Sequence, residues 1–126
     1  MTDASRLTEL QLAILRVIWA RGKATVPEVF RALWDERGLA QSTVATMVTR
    51  LEKRGVLARE GDARQYVYHA TVSEDDVRRS MVAEMTSLLF GGDAAALVSH
   101  LVESRELGAD EMEQVRALLD AMEDDA

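Results

Sequence analysis

Three well-marked helix starts, then a switch from helical to alternating spacing, then a return to helices alone predict a mainly α fold with a small β-hairpin wing. This order, three helices followed by a hairpin, is that of a winged helix-turn-helix, here continued by a helical C-terminal region. The first helix starts at Thr8, whose spacing to Gln11 is that of a capping box, with Leu7 and Leu12 placed to staple across it. It runs to about Ala20, places Leu12, Leu15, Ile18 and Trp19 on one face, and stops at Gly22. Thr25 and Glu28 form a second capping box, with Pro27 tolerated in the first turn. That helix turns Val29, Phe30 and Leu33 inward and ends near Gly38.

The third helix is expected to open at Ser42, run from Thr43 to Arg54 and close at Gly55. Val56–Glu60 and Gln65–Ala70 then read as short strands joined by a turn over Gly61, Asp62, Ala63 and Arg64. Beyond them Ser73 and Asp76 cap a fourth helix, whose Glu74 and Asp75 suit the positive helix start. Val77, Met81, Met85 and Leu88 recur along it until Phe90-Gly91-Gly92 breaks it. Asp93 caps a short helix carrying Leu97, Val98 and Leu101. A last helix follows Gly108, with Glu111 and a Leu107–Met112 staple at its start and Met112, Val115, Leu118, Leu119 and Met122 along one side. The division expected is a winged helix-turn-helix over residues 1–72 and a helical region over residues 73–126.

Charge sorts along the same boundary. The chain of 126 residues has a formal net charge of −7, yet residues 1–72 hold 11 Lys/Arg against 8 Asp/Glu, a balance of +3. Residues 73–126 hold 4 against 14, a balance of −10. Only the N-terminal half suits a polyanion. The absence of cysteine excludes disulfides, thiolate metal sites and a cysteine nucleophile. His69 and His100 lie too far apart for a local metal motif, and no glycine-rich phosphate loop is present. No catalytic residue, metal site or cofactor is therefore expected, and the chain does not read as an enzyme. Asp3, Arg6 and Glu9 interrupt any signal-like apolar run, and no stretch approaches the ~20 apolar residues of a membrane span. The expectation is a cytoplasmic protein with no membrane partner.

The third helix carries the functional signal. Val44, Met47, Val48 and Leu51 form its inward stripe, and the other side shows Thr43, Thr46, Thr49, Arg50 and Lys53. Ordinary exposed faces favour Glu, Lys and Gln, because threonine is a poorer helix former. Short hydroxyl side chains instead let a helix approach major-groove base edges closely, and Arg and Lys meet phosphate or guanine. Arg64 at the hairpin tip could reach the DNA backbone or minor groove, and Arg59 could meet a phosphate. Tyr66 and Tyr68 share a strand face, so one of them belongs to the core. A protein-interaction adaptor without sequence-specific DNA binding is the alternative; an acidic patch in place of Arg50 and Lys53 would mark it, and the sequence has the opposite.

Leu7-Thr8-Glu9, Val17-Ile18-Trp19, Thr25-Val26, Ser42-Thr43-Val44, Thr46, Arg50-Leu51, Gly55, Tyr66-Val67-Tyr68 and Phe90-Gly91-Gly92 before Leu97-Val98 occur in an order that resembles the penicillinase-repressor family, the BlaI/MecI-like transcriptional repressors. The resemblance covers about Leu7 to Met122. It implies a homodimer that binds a palindromic double-stranded operator, represses transcription, and is released by a signal the sequence does not identify. It also implies base contacts by Thr43, Ala45 and Thr46, with Arg50 and the wing on phosphates. With Ser42 at the helix start, the candidate DNA-contacting set is Ser42, Thr43, Ala45, Thr46, Thr49, Arg50, Lys53 and Arg64. The candidate dimerisation set is Val77, Met81, Met85, Leu88, Leu89, Leu97, Leu101, Met112, Val115, Leu118, Leu119 and Met122. Some family members are inactivated when a sensor-linked protease, and so a further partner, cuts an Asn-Phe bond. The matching stretch here, Val98-Ser99-His100-Leu101-Val102, lacks that bond, and the cysteines of copper-responsive relatives are missing too.

Overall fold

The computed structural model describes Ala4 and residues 6–124. Its elements run in the order α1 (Glu9–Arg21), α2 (Val26–Arg37), α3 (Gln41–Lys53), β1 (Leu57–Asp62), β2 (Gln65–Ala70), α4 (Glu74–Phe90), α5 (Ala94–Glu103) and α6 (Ala109–Asp124). The backbone packs into two compact units, Met1–Glu84 and Met85–Ala126, so the division falls inside α4.

The helix caps form as the local spacing dictates. The Thr8 hydroxyl accepts from the Gln11 N–H at 3.1 Å while the Gln11 side chain accepts from the Thr8 N–H at 2.9 Å. Thr25 and Glu28 do the same for α2, at 3.2 and 2.9 Å. Gly22 and Gly38, both at positive φ, close α1 and α2 by donating to the carbonyls of Ile18 and Trp34. Ser73 and Asp76 cap α4 reciprocally, and the Asp93 carboxylate accepts from the Ala96 N–H at 3.0 Å to start α5. At α6 the Glu111 carboxylate reaches back to accept from the Gly108 N–H at 3.0 Å, the half of a capping box that needs no side chain at Gly108.

In the first unit, α1, α2 and α3 bury Ile14, Leu15, Ile18, Val29, Leu33, Val44, Val48 and Leu51 in one aliphatic core. The hairpin closes that core with Val56, Leu57 and Tyr68. It is antiparallel, from Leu57 opposite Ala70 to Asp62 opposite Gln65. A bridge between Ala24 and Tyr68, with hydrogen bonds of 2.9 and 2.8 Å, ties it to the α1–α2 connection. Trp19 Nε1–H donates to the Val72 carbonyl at 2.9 Å, which holds the chain entering α4 against α1.

Several expectations are corrected. The α3 helix begins at Gln41 with Ala40 at the cap position, so Ser42 lies in the first turn and caps nothing. The strands extend further than expected, so Gly61 and Asp62 belong to β1 and only Ala63 and Arg64 form the turn. Gly61 sits at φ +95, and a Cβ there would stand 2.9 Å from the Gln65 carbonyl oxygen, a close approach that only glycine permits. In α1 the fully buried residue overlooked by the expected stripe is Ile14, whereas Leu12 and Trp19 are only half-buried.

In the second unit, α4 ends at Phe90, where Gly91 and Gly92 adopt positive φ and the Gly92 N–H donates to the Thr86 carbonyl at 3.1 Å. The Phe90 and His100 rings meet at 5.8 Å. Neither α5 nor α6 buries a single residue.

Two measurements check this account. Ile14→Ala should destabilise the first unit by about 2–5 kcal/mol in chemical denaturation, because the cavity lies among residues that cannot collapse freely. The second concerns acid. Arg37 holds the Glu9 carboxyl below its ordinary value, and the Thr25 backbone N–H does so for Glu28. A depressed carboxyl stabilises the fold above its unfolded pKa and loses that contribution as pH falls through the folded pKa. Stability should therefore decline below about pH 4 to 5, and a Glu9→Gln/Glu28→Gln protein should decline less steeply over that range.

Candidate nucleic-acid interface

The inner stripe of α3 decides which of its side chains face outward. Val44, Val48 and Leu51 are no more than 1% exposed, which locks the helix about its axis. Ser42, Thr43, Thr46, Thr49, Arg50 and Lys53 are consequently all exposed, and Ala45 is half-buried beside them. Their spacings of three and four residues bring them together as one continuous face. Thr46 Oγ1 donates to the Ser42 carbonyl and Thr49 Oγ1 to the Ala45 carbonyl, each at 3.0 Å. Each hydroxyl thus gives its proton to the helix and keeps an acceptor oxygen and a methyl for an external partner. The Arg50 guanidinium lies 4.0 Å from Met47 Sδ.

The start of α3 differs from the other helix starts. No side chain caps it, and its first turn contains no acid. The leading N–H groups are left for an external acceptor, the arrangement that suits a phosphate.

The wing is fastened to this helix through Arg59. Its Nε lies 3.3 Å from Glu52 Oε2, and its guanidinium stacks 4.1 Å from the centroid of the Tyr66 ring. Arg59 therefore offsets the acid at the end of α3 while about half of its side chain stays exposed. Of the tyrosine pair, Tyr68 is the core member and Tyr66 is the half-buried platform for Arg59.

Arg64 stands exposed at the hairpin tip, where its N–H donates to Asp62 Oδ1 at 3.0 Å. Between tip and helices runs a groove of about 290 Å³, with Val26 and Pro27 on one wall, Gln41 at the start of α3, and Arg64, Gln65 and Tyr66 on the wing. Gln41 and Gln65 are amide side chains that the sequence reading missed. Gln41 falls before the expected helix start, and neither position carries a charge or a periodic signal.

The expected dimerisation residues separate into three groups. Val77 is corrected: it is 1% exposed in the first unit's own core and has no surface left for a partner. Met81 packs partly against the same core, and Leu97 and Leu101 are half-buried. Met85, Leu88, Leu89, Met112, Val115, Leu118, Leu119 and Met122 are exposed, Leu88 and Leu89 at 70%. The stretch from Val98 to Val102 lies within α5, so a protease could reach its peptide bonds only after that helix opens. Among the described residues no helix by itself is long and apolar enough to cross a membrane, and no three His, Asp or Glu side chains converge as metal ligands.

Comparison with known proteins agrees with this geometry. The chain is 25% identical over 119 residues to a penicillinase repressor of Staphylococcus aureus, covering 92% of this chain and 94% of that one. It is also 25% identical over 113 residues to the methicillin resistance regulatory protein MecI of Mammaliicoccus sciuri, covering 90% and 92%. Among solved structures it resembles the DNA-binding domain of the repressor BlaI, at a TM-score of 0.54 and 28% identity, over 60% of this chain and 93% of that one. Bacillus licheniformis BlaI, solved as a monomer in complex with the blaP half-operator, matches over the same shares at a TM-score of 0.51 and 28% identity. The penicillinase repressor family model matches residues 7–121, nearly the whole chain. The chain belongs to the penicillinase repressor family, whose members are winged-helix transcriptional repressors rather than enzymes.

Proposed function

We propose that the protein represses transcription as a homodimer, each protomer placing α3 in the major groove of one half of a palindromic operator. The observation that carries the DNA contact is the face of α3: hydroxyls, Arg50 and Lys53 outward, with an uncapped helix start beside them. Ser42, Thr43, Ala45, Thr46 and Thr49 would meet base edges or the adjoining sugar-phosphate. Arg50, Lys53 and Arg64 would hold phosphates and release counterions. A relative supports the reading: Bacillus licheniformis BlaI has been solved in complex with the blaP half-operator. In this reading residues 1–72 bind DNA and residues 73–126 carry the dimer, the first turns of α4 serving as packing for the DNA-binding part.

The dimer is supported by α5 and α6, which bury nothing in the monomer although α6 exposes Leu118 at 65%, Leu119 at 57% and Met122 at 69%. Helices of 10 and 16 residues gain little stability from propensity and depend on packing of an apolar face. A second copy supplies that packing and makes the second half-site contact intramolecular. Two recognition helices would then lie roughly 34–36 Å apart, one turn of DNA. A signal that opens the interface would release the operator, whether by protease action on a transiently opened α5 or by a ligand.

Fluorescence anisotropy with DNA from upstream of the protein's own gene tests the reading, beside a scrambled duplex. Tight binding that weakens with salt and is lost on scrambling is expected; equal weak binding to both duplexes at every salt concentration would sink it. Arg50→Ala should weaken binding and lower the log–log salt slope by about 1. Leu118→Asp should yield a folded monomer that binds the operator weakly. A monomeric Leu118→Asp protein with undiminished affinity would show the dimer to be unnecessary.

A further inference from the structure

Apart from the DNA-binding face, the first unit contains a crevice of about 220 Å³ between α1 and the first half of α4. Its apolar side chains are Leu12 and Trp19 from α1 and Met81 and Val82 from α4, over a floor closed by the buried Val77. The Trp19 ring is held in place by its 2.9 Å hydrogen bond to the Val72 carbonyl, so this wall is formed in advance. Met81 supplies a thioether, which packs favourably against aromatic edges. An apolar cavity of about 150 Å³ accommodates benzene, so the crevice has room for a single ring and a small substituent.

Charge selects the substituent. Arg16 and Arg78 are both exposed and line the crevice together with Glu74. Glu74 Oε1 lies 3.4 Å from Arg78 Nη2 and offsets one of the two guanidiniums. Glu9, the acid that feels Arg16 electrostatically, is held by Arg37. One positive charge is left to be matched by a monoanion, and two guanidinium forks are available to hold its oxygens.

We infer that this crevice binds a small aromatic monocarboxylate, with the ring between Trp19 and Met81 and the carboxylate on Arg16 and Arg78, and that occupancy weakens DNA binding. The route is α4, which begins on this crevice and continues past Glu84 into the second unit. An occupant that shifts α4 changes how the recognition helices of a dimer are presented. This regulatory half rests on the operator-binding reading, whereas the binding site does not.

The test uses the full chain with Trp34→Phe, which leaves Trp19 as the sole indole of the 2 tryptophans. Its fluorescence is titrated with benzoate, with benzyl alcohol as the neutral ring and acetate as the ringless anion. Benzoate should give a saturable change, at least about tenfold tighter than either comparator, and Arg16→Gln/Arg78→Gln should weaken it by about tenfold or more. Saturating benzoate should lower operator affinity by about tenfold in the anisotropy assay. No saturable response to benzoate up to about 10 mM, or an equal response to benzyl alcohol, would overturn the site. So would an Arg16→Gln/Arg78→Gln protein whose only change is in self-association, which would make the crevice a contact between copies. Benzoate binding with unchanged operator affinity would overturn the regulatory half. A protein that binds benzoate but no duplex at all would instead count against the operator-binding reading.

Discussion

Burial of Val44, Val48 and Leu51 against Ile14, Leu15 and Ile18 is the constraint from which the rest of the first unit follows. Each of these side chains contributes roughly 1.5–3 kcal/mol on leaving water, so turning α3 about its axis would expose several of them at once. The opposite face therefore has a fixed composition, with threonines, Arg50 and Lys53 outward. The hairpin depends on the same core, since Val56 and Leu57 enter it directly and Tyr68 seals it. The α3 helix and the wing are thus placed by the packing that folds the unit.

Electrostatics act within that frame. Three acidic residues of the first unit are paired with arginines: Glu9 with Arg37, Glu28 with Arg21, and Glu52, on α3 itself, with Arg59 of the wing. These exposed pairs add little to stability. Along α3 the first turn carries no acid, and Glu52, the acid beside Arg50 and Lys53 in the last turn, is paired with Arg59. The acidic surplus of the chain lies in residues 73–126, which a polyanion would repel.

The second unit presents the opposite situation. Its helices start and stop cleanly, through Asp93, Glu111 and the Gly91-Gly92 break, yet α5 and α6 bury none of their residues. Local start and stop signals are present where tertiary burial is missing. Such a pair of helices needs an apolar surface from elsewhere, and the stripe over Leu118, Leu119 and Met122 is where it would be applied.

Most helix starts and stops and the outward face of α3 were legible in the residues because each depends on neighbours three or four positions away, and the hairpin because two short strands flank a turn. Thr8 with Gln11, Thr25 with Glu28 and Ser73 with Asp76 are contacts of that kind. The start of α3 was not legible, since Ala40 has no capping side chain and Ser42, a favoured cap residue, stood two positions further on. Val77 looked like the first member of an interface stripe, and only the packing of α4 on the first unit assigns it to the core. The pairing of Arg59 with Glu52 and Tyr66 was likewise not legible, since it brings together another helix and another strand. Local spacing determined the elements and their amphipathic faces. The tertiary structure decided which of those faces was already covered, because burial depends on residues far apart in the chain that no local pattern records.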